Sequence, residues 1–125
     1  MENKKTEFKQ AKDQKMTLIG ITLETTKDNL HVDRIRFVTE RGDITYRPSI
    51  TKEEFRDGFK VKSEETPLIS ELHPKIKDLA RLVQAKGKQN LICNYTYMEE
   101  EQDGQPKTYR FINNVKILEE WKLVD

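Results

Sequence analysis

Disulfide chemistry is missing from this sequence. Its 125 residues hold one cysteine, Cys93, and a lone thiol in an apolar run cannot close an internal bridge. That usage predicts a reduced, cytoplasmic compartment. The two histidines, His31 and His73, stand far apart in the chain, so Cys and His alone assemble no zinc site, and no metal or cofactor is expected. Long apolar runs are missing as well. None exceeds three or four residues, far short of the ~20 that span a bilayer, and no membrane partner is expected. The opening stretch MENKKTEFKQAKDQK is basic but has no apolar segment of the secretory kind. Nor is there an excess of either charge. Lys and Arg number 23 and Asp and Glu 22, a net charge of +1, so no global field announces a nucleic-acid binder or an acidic mimic of one. The sequence contains no P-loop, GxSxG, HExxH or paired-carboxylate motif, and an enzyme is not expected.

What is present suffices for one small core under a very polar surface. Charged residues make up 36% of the chain, whereas Leu, Ile, Val and Phe are about a quarter, above the composition at which chains stay disordered. The length favours a single domain. Residues 1–15 carry five lysines and little to bury, which predicts a flexible basic N-terminal arm ahead of a folded domain over 16–125. From Met16 the apolar period is two. Ile19, Ile21 and Leu23 alternate with polar neighbours as a half-buried strand, and two more strands are expected over 30–39 and 43–47, punctuated by Arg41–Gly42. Residues 49–67 are less patterned, with Phe55 and Phe59 around Asp57–Gly58 and a short strand available at 59–62. Leu72, Ile76, Leu79 and Val83 then recur at helical spacing, with Pro74 in the first turn and Gly87 as the stop. Two further strands are expected over 90–98 and 107–118, joined by the polar loop EEEQDGQP. A mainly β chain ordered β-β-β-α-β-β, with one helix between strands 3 and 4, is the element sequence of a five-stranded OB-fold barrel.

Chemistry on such a barrel would be carried by arginines. A two- or four-residue loop centred on Arg41–Gly42 pairs Phe37 with Tyr46 and Thr39 with Ile44 as a core face. On the other side it sets Arg36 opposite Arg47, with Arg34 diagonal. Like charges facing each other across strands destabilise a sheet, so a face that keeps them is a candidate anion site; a solvated face with acidic neighbours is the plain alternative. A three-residue loop would set Arg47 against Phe37 instead. Basic and aromatic residues interleave elsewhere, in Phe59-Lys60-Val61-Lys62, in Tyr109-Arg110-Phe111 and in Tyr95-Thr96-Tyr97. That combination serves sequence-tolerant binding of single strands, because every base has a stackable face, although core packing competes for each ring. Trp121 is expected to seal a barrel end or an oligomer contact. The acidic run from Glu99 to Asp103 reads as a solvated hairpin tip; a nuclease site built on it has nothing else in the sequence to support it.

The stretches MTLIGITLETTKDNLHVDRIRFVTERGDITYRP, LHPKIKDLARLVQAKGK and LICNYTYMEEEQDGQPKTYRFINNVKILEEW resemble the small single-stranded DNA-binding proteins of phages that infect lactic-acid bacteria. The resemblance implies an OB-fold, sequence-independent binding of single-stranded DNA, a part in phage DNA replication and recombination in the host cytoplasm, and a homo-oligomer (dimer or tetramer) that works with replication or recombination proteins. The residues expected to serve it are Arg34, Arg36 and Arg47 on phosphates, Arg110, Lys60 and Lys62 extending the track, and Tyr46, Phe59, Tyr97 and Tyr109 stacking on bases. The competing expectation is a protein–protein interaction module on a similar barrel without nucleic-acid binding.

Overall fold

The computed structural model describes residues 7–124, and the chain is mainly β. Its first strand, β1 (Lys9–Thr25), is long enough to serve two neighbours. The first half pairs antiparallel with β6 (Gln89–Gln102) and the second half with β2 (Val32–Thr39). Three irregularities interrupt its pairing: besides one between Glu24 and Thr25 there are two more. One lies between Ala11 and Gln14, where Asp13 takes φ 52° and its N–H donates to Asn94 Oδ1 at 2.7 Å. The other makes Ile19 the extra residue of a bulge against β2. β2 continues into β3 (Gly42–Tyr46), which runs parallel to β7 (Gln105–Ile112), and β7 returns to β6. The five strands therefore close in the ring β1-β2-β3-β7-β6-β1.

Other elements decorate this ring and correct the expected order. Residues 49–67 are not a loop with one short strand. They contain a two-stranded hairpin, β4 (Ile50–Arg56) and β5 (Phe59–Glu65), which forms a sheet of its own around Asp57–Gly58. Both turn residues have positive φ, 52° and 81°, the geometry that Asp-Gly favours in tight hairpins. A 3-10 turn (Ile69–Glu71) leads to helix α1 (Pro74–Lys86), so a hairpin stands between the third strand and the helix. The last expected strand ends early, at Ile112. Asn114 Oδ1 accepts from Ile117 N at 3.2 Å and caps a short helix, α2 (Val115–Glu119), before the final strand β8 (Lys122–Leu123) pairs with β6. The acidic run is corrected as well. Glu99, Glu100 and Glu101 belong to β6, opposite Thr108, Lys107 and Pro106, and the turn is only Asp103–Gly104. The expected mobile arm is corrected over residues 9–15, which are strand; residues 1–6 lie outside the described residues.

The helix follows the sequence pattern. His73 caps it by accepting from Lys75 N, Pro74 fills the first turn, and Gly87 ends it at φ 82°, where a side chain is disfavoured. Ile76, Leu79 and Val83 are buried, and the helix packs on β1 and β6. The core it helps close includes Leu18, Val32, Ile35, Phe37, Ile44 and Leu118. Trp121 seals this core. Its ring meets Phe37 edge-on at 5.0 Å and its Nε1 donates to Asn94 O at 3.0 Å. In β1 the core face passes from Met16 and Leu18 to Ile21, because the bulge turns Ile19 out to 48% exposure. The expected run Ile19, Ile21, Leu23 is thus corrected at its first member, and Leu23, although opposite buried Ile35, is itself exposed.

Candidate nucleic-acid interface

Strand alternation places the arginines. Ile35 and Phe37 are buried, so Arg34 and Arg36 lie on the outer face of β2. The β2–β3 register differs from expectation by two positions. Phe37 faces Ile44, Ile35 faces Tyr46, and Arg36 faces Thr45 rather than Arg47. A two-residue turn, Glu40–Arg41, sets this register. Thr39 Oγ1 closes it, donating to Gly42 O at 2.7 Å and accepting from Arg41 N at 3.1 Å. A shift of two keeps every side chain on its expected face, so the arginine face survives and only the head-on Arg36–Arg47 opposition is lost. Arg47 follows β3 directly and is exposed.

Across the ring, Thr22, Arg36, Thr45, Phe111 and Thr96 form one transverse row on the outer surface, each paired to the next through β1, β2, β3, β7 and β6. Tyr109 and Phe111 therefore share the arginines' side of the sheet. Phe8, 63% exposed, meets Phe111 edge-on at 5.7 Å. Lys107 Nζ lies 5.0 Å from the centre of the Tyr109 ring, and Gln102 Nε2 donates to the Tyr109 hydroxyl at 2.8 Å. A half-exposed aromatic strip on β7 thus runs beside a guanidinium pair on β2.

Acids hold those guanidiniums. Glu24, on β1, accepts from Arg36 Nε through Oε1 and lies 3.8 Å from Arg34 Nε through Oε2. Asp43 Oδ2 is 3.4 Å from Arg36 NH1. The Arg36 hydrogen bond foremost, with the charges of Arg36, Arg34 and Arg47, holds the Glu24 carboxyl below its ordinary range. Arg34 is less well served than Arg36, since its buried Nε has no hydrogen-bond partner.

A second arginine shares that condition. Arg110 is opposite Tyr97 and Ile44 and so faces the ring's interior near one mouth, not the outer strip. Its NH1 donates to Arg41 O at 2.8 Å, its guanidinium lies 5.8 Å from the centre of the Tyr95 ring, and its buried Nε is unpartnered. Tyr97 is half-buried, 6.2 Å from Tyr95, and together with Gln10, Lys12, Gln14, Glu99 and Thr108 these residues line a polar pocket. Among the described residues, the Nε atoms of Arg34 and Arg110 are the buried side-chain polar atoms without a partner.

The remaining expected residues fall elsewhere. Tyr46 is corrected to a core residue, 7% exposed, and burial raises its phenol above its usual value. Phe59, Lys60 and Lys62 sit on the β4–β5 hairpin, away from the outer strip, where Lys60 and Lys62 approach Glu53 at 2.9 and 3.7 Å. Phe8 and Lys107 were not expected in the site. The i, i+2 spacing of Lys107, Tyr109 and Phe111 is a strand signal that could have found Lys107; Phe8 carries none.

No protein-family model, no curated protein and no solved structure matches this chain. Among the described residues no helix is long and apolar enough to cross a membrane.

Proposed function

We propose that this chain is a sequence-independent single-stranded DNA-binding protein built on an OB barrel, not an enzyme, and that it acts in phage DNA replication and recombination in the host cytoplasm. The observation that carries the reading is the gathering of Arg34, Arg36 and Arg47 on the outer side of the sheet that also carries half-exposed Tyr109 and Phe111. Phosphate-binding cations next to stackable rings are what sequence-tolerant binding of single strands needs. The ring order, the parallel β3–β7 pair and a helix between β3 and β6 support the OB barrel, and in that fold single strands lie over the second and third strands. Phosphates sit over Arg34, Arg36 and Arg47, displacing the carboxylates that hold two of these arginines in the free protein. Bases stack on Tyr109 and Phe111, with Phe8 as a movable edge, each well-stacked base adding ~1–3 kcal/mol. Duplex DNA hides its base faces and gains only the phosphate contacts. Arg110 and Tyr97 extend the track at the barrel mouth. Lys60 and Lys62, engaged by Glu53, and buried Tyr46 lie outside it.

The test is an anisotropy titration of labelled oligo-dT at two salt concentrations, with duplex and RNA of equal length as competitors. Salt-sensitive binding that prefers the single strand and weakens in the Arg34→Ala/Arg36→Ala variant is expected. No binding at low salt would refute the reading. One observation favours a second reading: Glu24 and Asp43 already occupy the arginines, as on a face that docks a protein. That module predicts no oligonucleotide affinity at any salt.

A further inference from the structure

Small barrels fill their interiors with side chains, and this ring does so as far as Tyr95 and not beyond it. Ala11 is the residue of β1 opposite Tyr95, too short to reach across. The inward positions that follow are polar or amphipathic, Tyr97 and Glu99 on β6 and Arg110 and Thr108 on β7. They leave an open cavity of about 370 Å³ at the mouth of the ring, within the ~300–1,000 Å³ range of small-ligand pockets. Tyr95 lines it while only 6% exposed, and its hydroxyl makes no hydrogen bond among the described residues.

Two opposite charges line this cavity without meeting. Tyr97 pairs with Arg110 and Glu99 with Thr108, so Arg110 and Glu99 are diagonal neighbours on one face, a separation of ~7–8 Å. Among the described residues they form no ion pair with each other, and Glu99 forms none at all. Arg110 spends NH1 on Arg41 O and makes no other hydrogen bond. The half-buried Tyr97 ring stands beside both charges. An arginine fork, a carboxylate and an aromatic face thus converge on one space.

We propose that the cavity binds a guanine base. The flat ring stacks on Tyr97. Guanine presents two adjacent acceptors, O6 and N7, that match an arginine fork, and beside them two adjacent donors, N1–H and N2–H2, that match a carboxylate. Arg110 takes the first edge and Glu99 the second. Adenine carries an amine in place of O6 and meets Arg110 donor to donor, and pyrimidines have no N7. The base comes from a bound strand or from a free nucleotide. Tyr109 and Arg110 are consecutive and point to opposite faces of β7, and among the described residues β7 pairs with β3 only from Arg110 onward. A strand on the outer strip reaches the cavity by crossing that open edge, and at that one position the protein prefers a base. The strand as source rests on the DNA reading; the pocket's own chemistry does not.

Competition against labelled oligo-dT tests it, with unlabelled strands of equal length that are all dT or carry a single central dG, dA or dC. Calorimetric titrations of dGMP, dAMP and dTMP run beside it. The dG strand should compete roughly tenfold better than oligo-dT, and dGMP should bind in preference to the other two nucleotides. Glu99→Gln breaks up the acceptor pair and Ala11→Leu fills the cavity. Each should abolish the preference and leave oligo-dT affinity unchanged, with a thermal melt to show that the variant is folded. Equal competition by all four strands overturns the inference and leaves the DNA reading standing. Binding of dGMP that is lost in Glu99→Gln, with no strand bound at any salt, supports the pocket as a site for free nucleotides and removes the DNA reading instead. A guanine preference that survives Glu99→Gln overturns the assignment to this cavity, and binding of neither strands nor nucleotides overturns both readings.

Discussion

Replacing Glu24 with Gln removes the anion that Arg34 and Arg36 share while leaving a side chain of the same shape on β1. In the wild type, Arg34, Arg36 and Arg47 face Glu24 and Asp43, a local balance of +1; the variant raises it to +2. A strand phosphate reaching Arg36 must now displace only Asp43, which sits 3.4 Å away. Each phosphate neutralised on a single strand adds ~0.7 to the slope of log affinity against log salt. If Glu24→Gln frees one arginine for one phosphate, the slope steepens by about 0.7, and a fourfold rise in salt costs the variant about 2.6-fold more affinity than the wild type. At low salt the variant binds tighter. Because Arg36 holds the Glu24 carboxyl below its ordinary range, Glu24 is ionised at neutral pH and the comparison is between a charge and none. The assay is anisotropy of labelled oligo-dT over a salt series, with a thermal melt of each protein to show that both are folded. Arg36→Ala should move the slope the other way by a similar amount. Unchanged or weaker binding by Glu24→Gln, with the same slope, would refute the assignment of phosphates to this face.

Trp121→Ala should destabilise the fold by about 3–5 kcal/mol in urea denaturation, the usual loss for a buried large aromatic, since it removes the ring against Phe37 and the bond to Asn94 O; a loss below ~1 kcal/mol would show that this end of the core is sealed otherwise. Asp28, in the β1–β2 turn, accepts from the Thr26 hydroxyl at 2.6 Å, from Leu30 N at 2.9 Å and from His31 N at 3.1 Å. These bonds, the Thr26 hydroxyl foremost, hold its carboxyl far below the usual range. A carboxyl depressed by folding contributes stability that is present above its unfolded pKa of ~3.9 and disappears as pH falls through the lower folded one. Melting temperature should therefore fall through that acid window, and Asp28→Asn should lower it at neutral pH while shrinking the acid-dependent part; an identical acid limb in the variant would count against the turn. Burial pushes the Cys93 thiol up to about 12, so a thiol reagent at pH 8 should label the chain only after denaturant is added, and rapid labelling of the native protein would contradict its placement in the core.

Local patterns carried much of this structure. The stripe Leu72, Ile76, Leu79, Val83 with Pro74 and Gly87 suffices to define α1, because a helix makes its hydrogen bonds within itself. Alternation along β2 suffices to put Arg34 and Arg36 on one face and Ile35 and Phe37 on the other. Asp57–Gly58 and Asp103–Gly104 are written in the chain as hairpin turns. Of the strands around Asp57–Gly58 the sequence offered only 59–62, because both bury almost nothing and so show no apolar alternation. Lys9–Lys15 was missed for a related reason. Its place in β1 rests on backbone bonds to β6 residues some eighty positions away, and no local residue reports that partner.

The sequence by itself determined which side chains share a face, because a strand has a period of two whatever lies beside it. Only the tertiary structure decided which faces meet. The two-residue turn at Glu40–Arg41 moved Arg36 from Arg47 to Thr45, the bulge at Ile19 turned out a residue that alternation had placed inside, and the closure of β1 onto β6 built the ring whose interior takes Arg110. Register, bulges and closure depend on bonds between distant strands, and those exist only once the chain has folded.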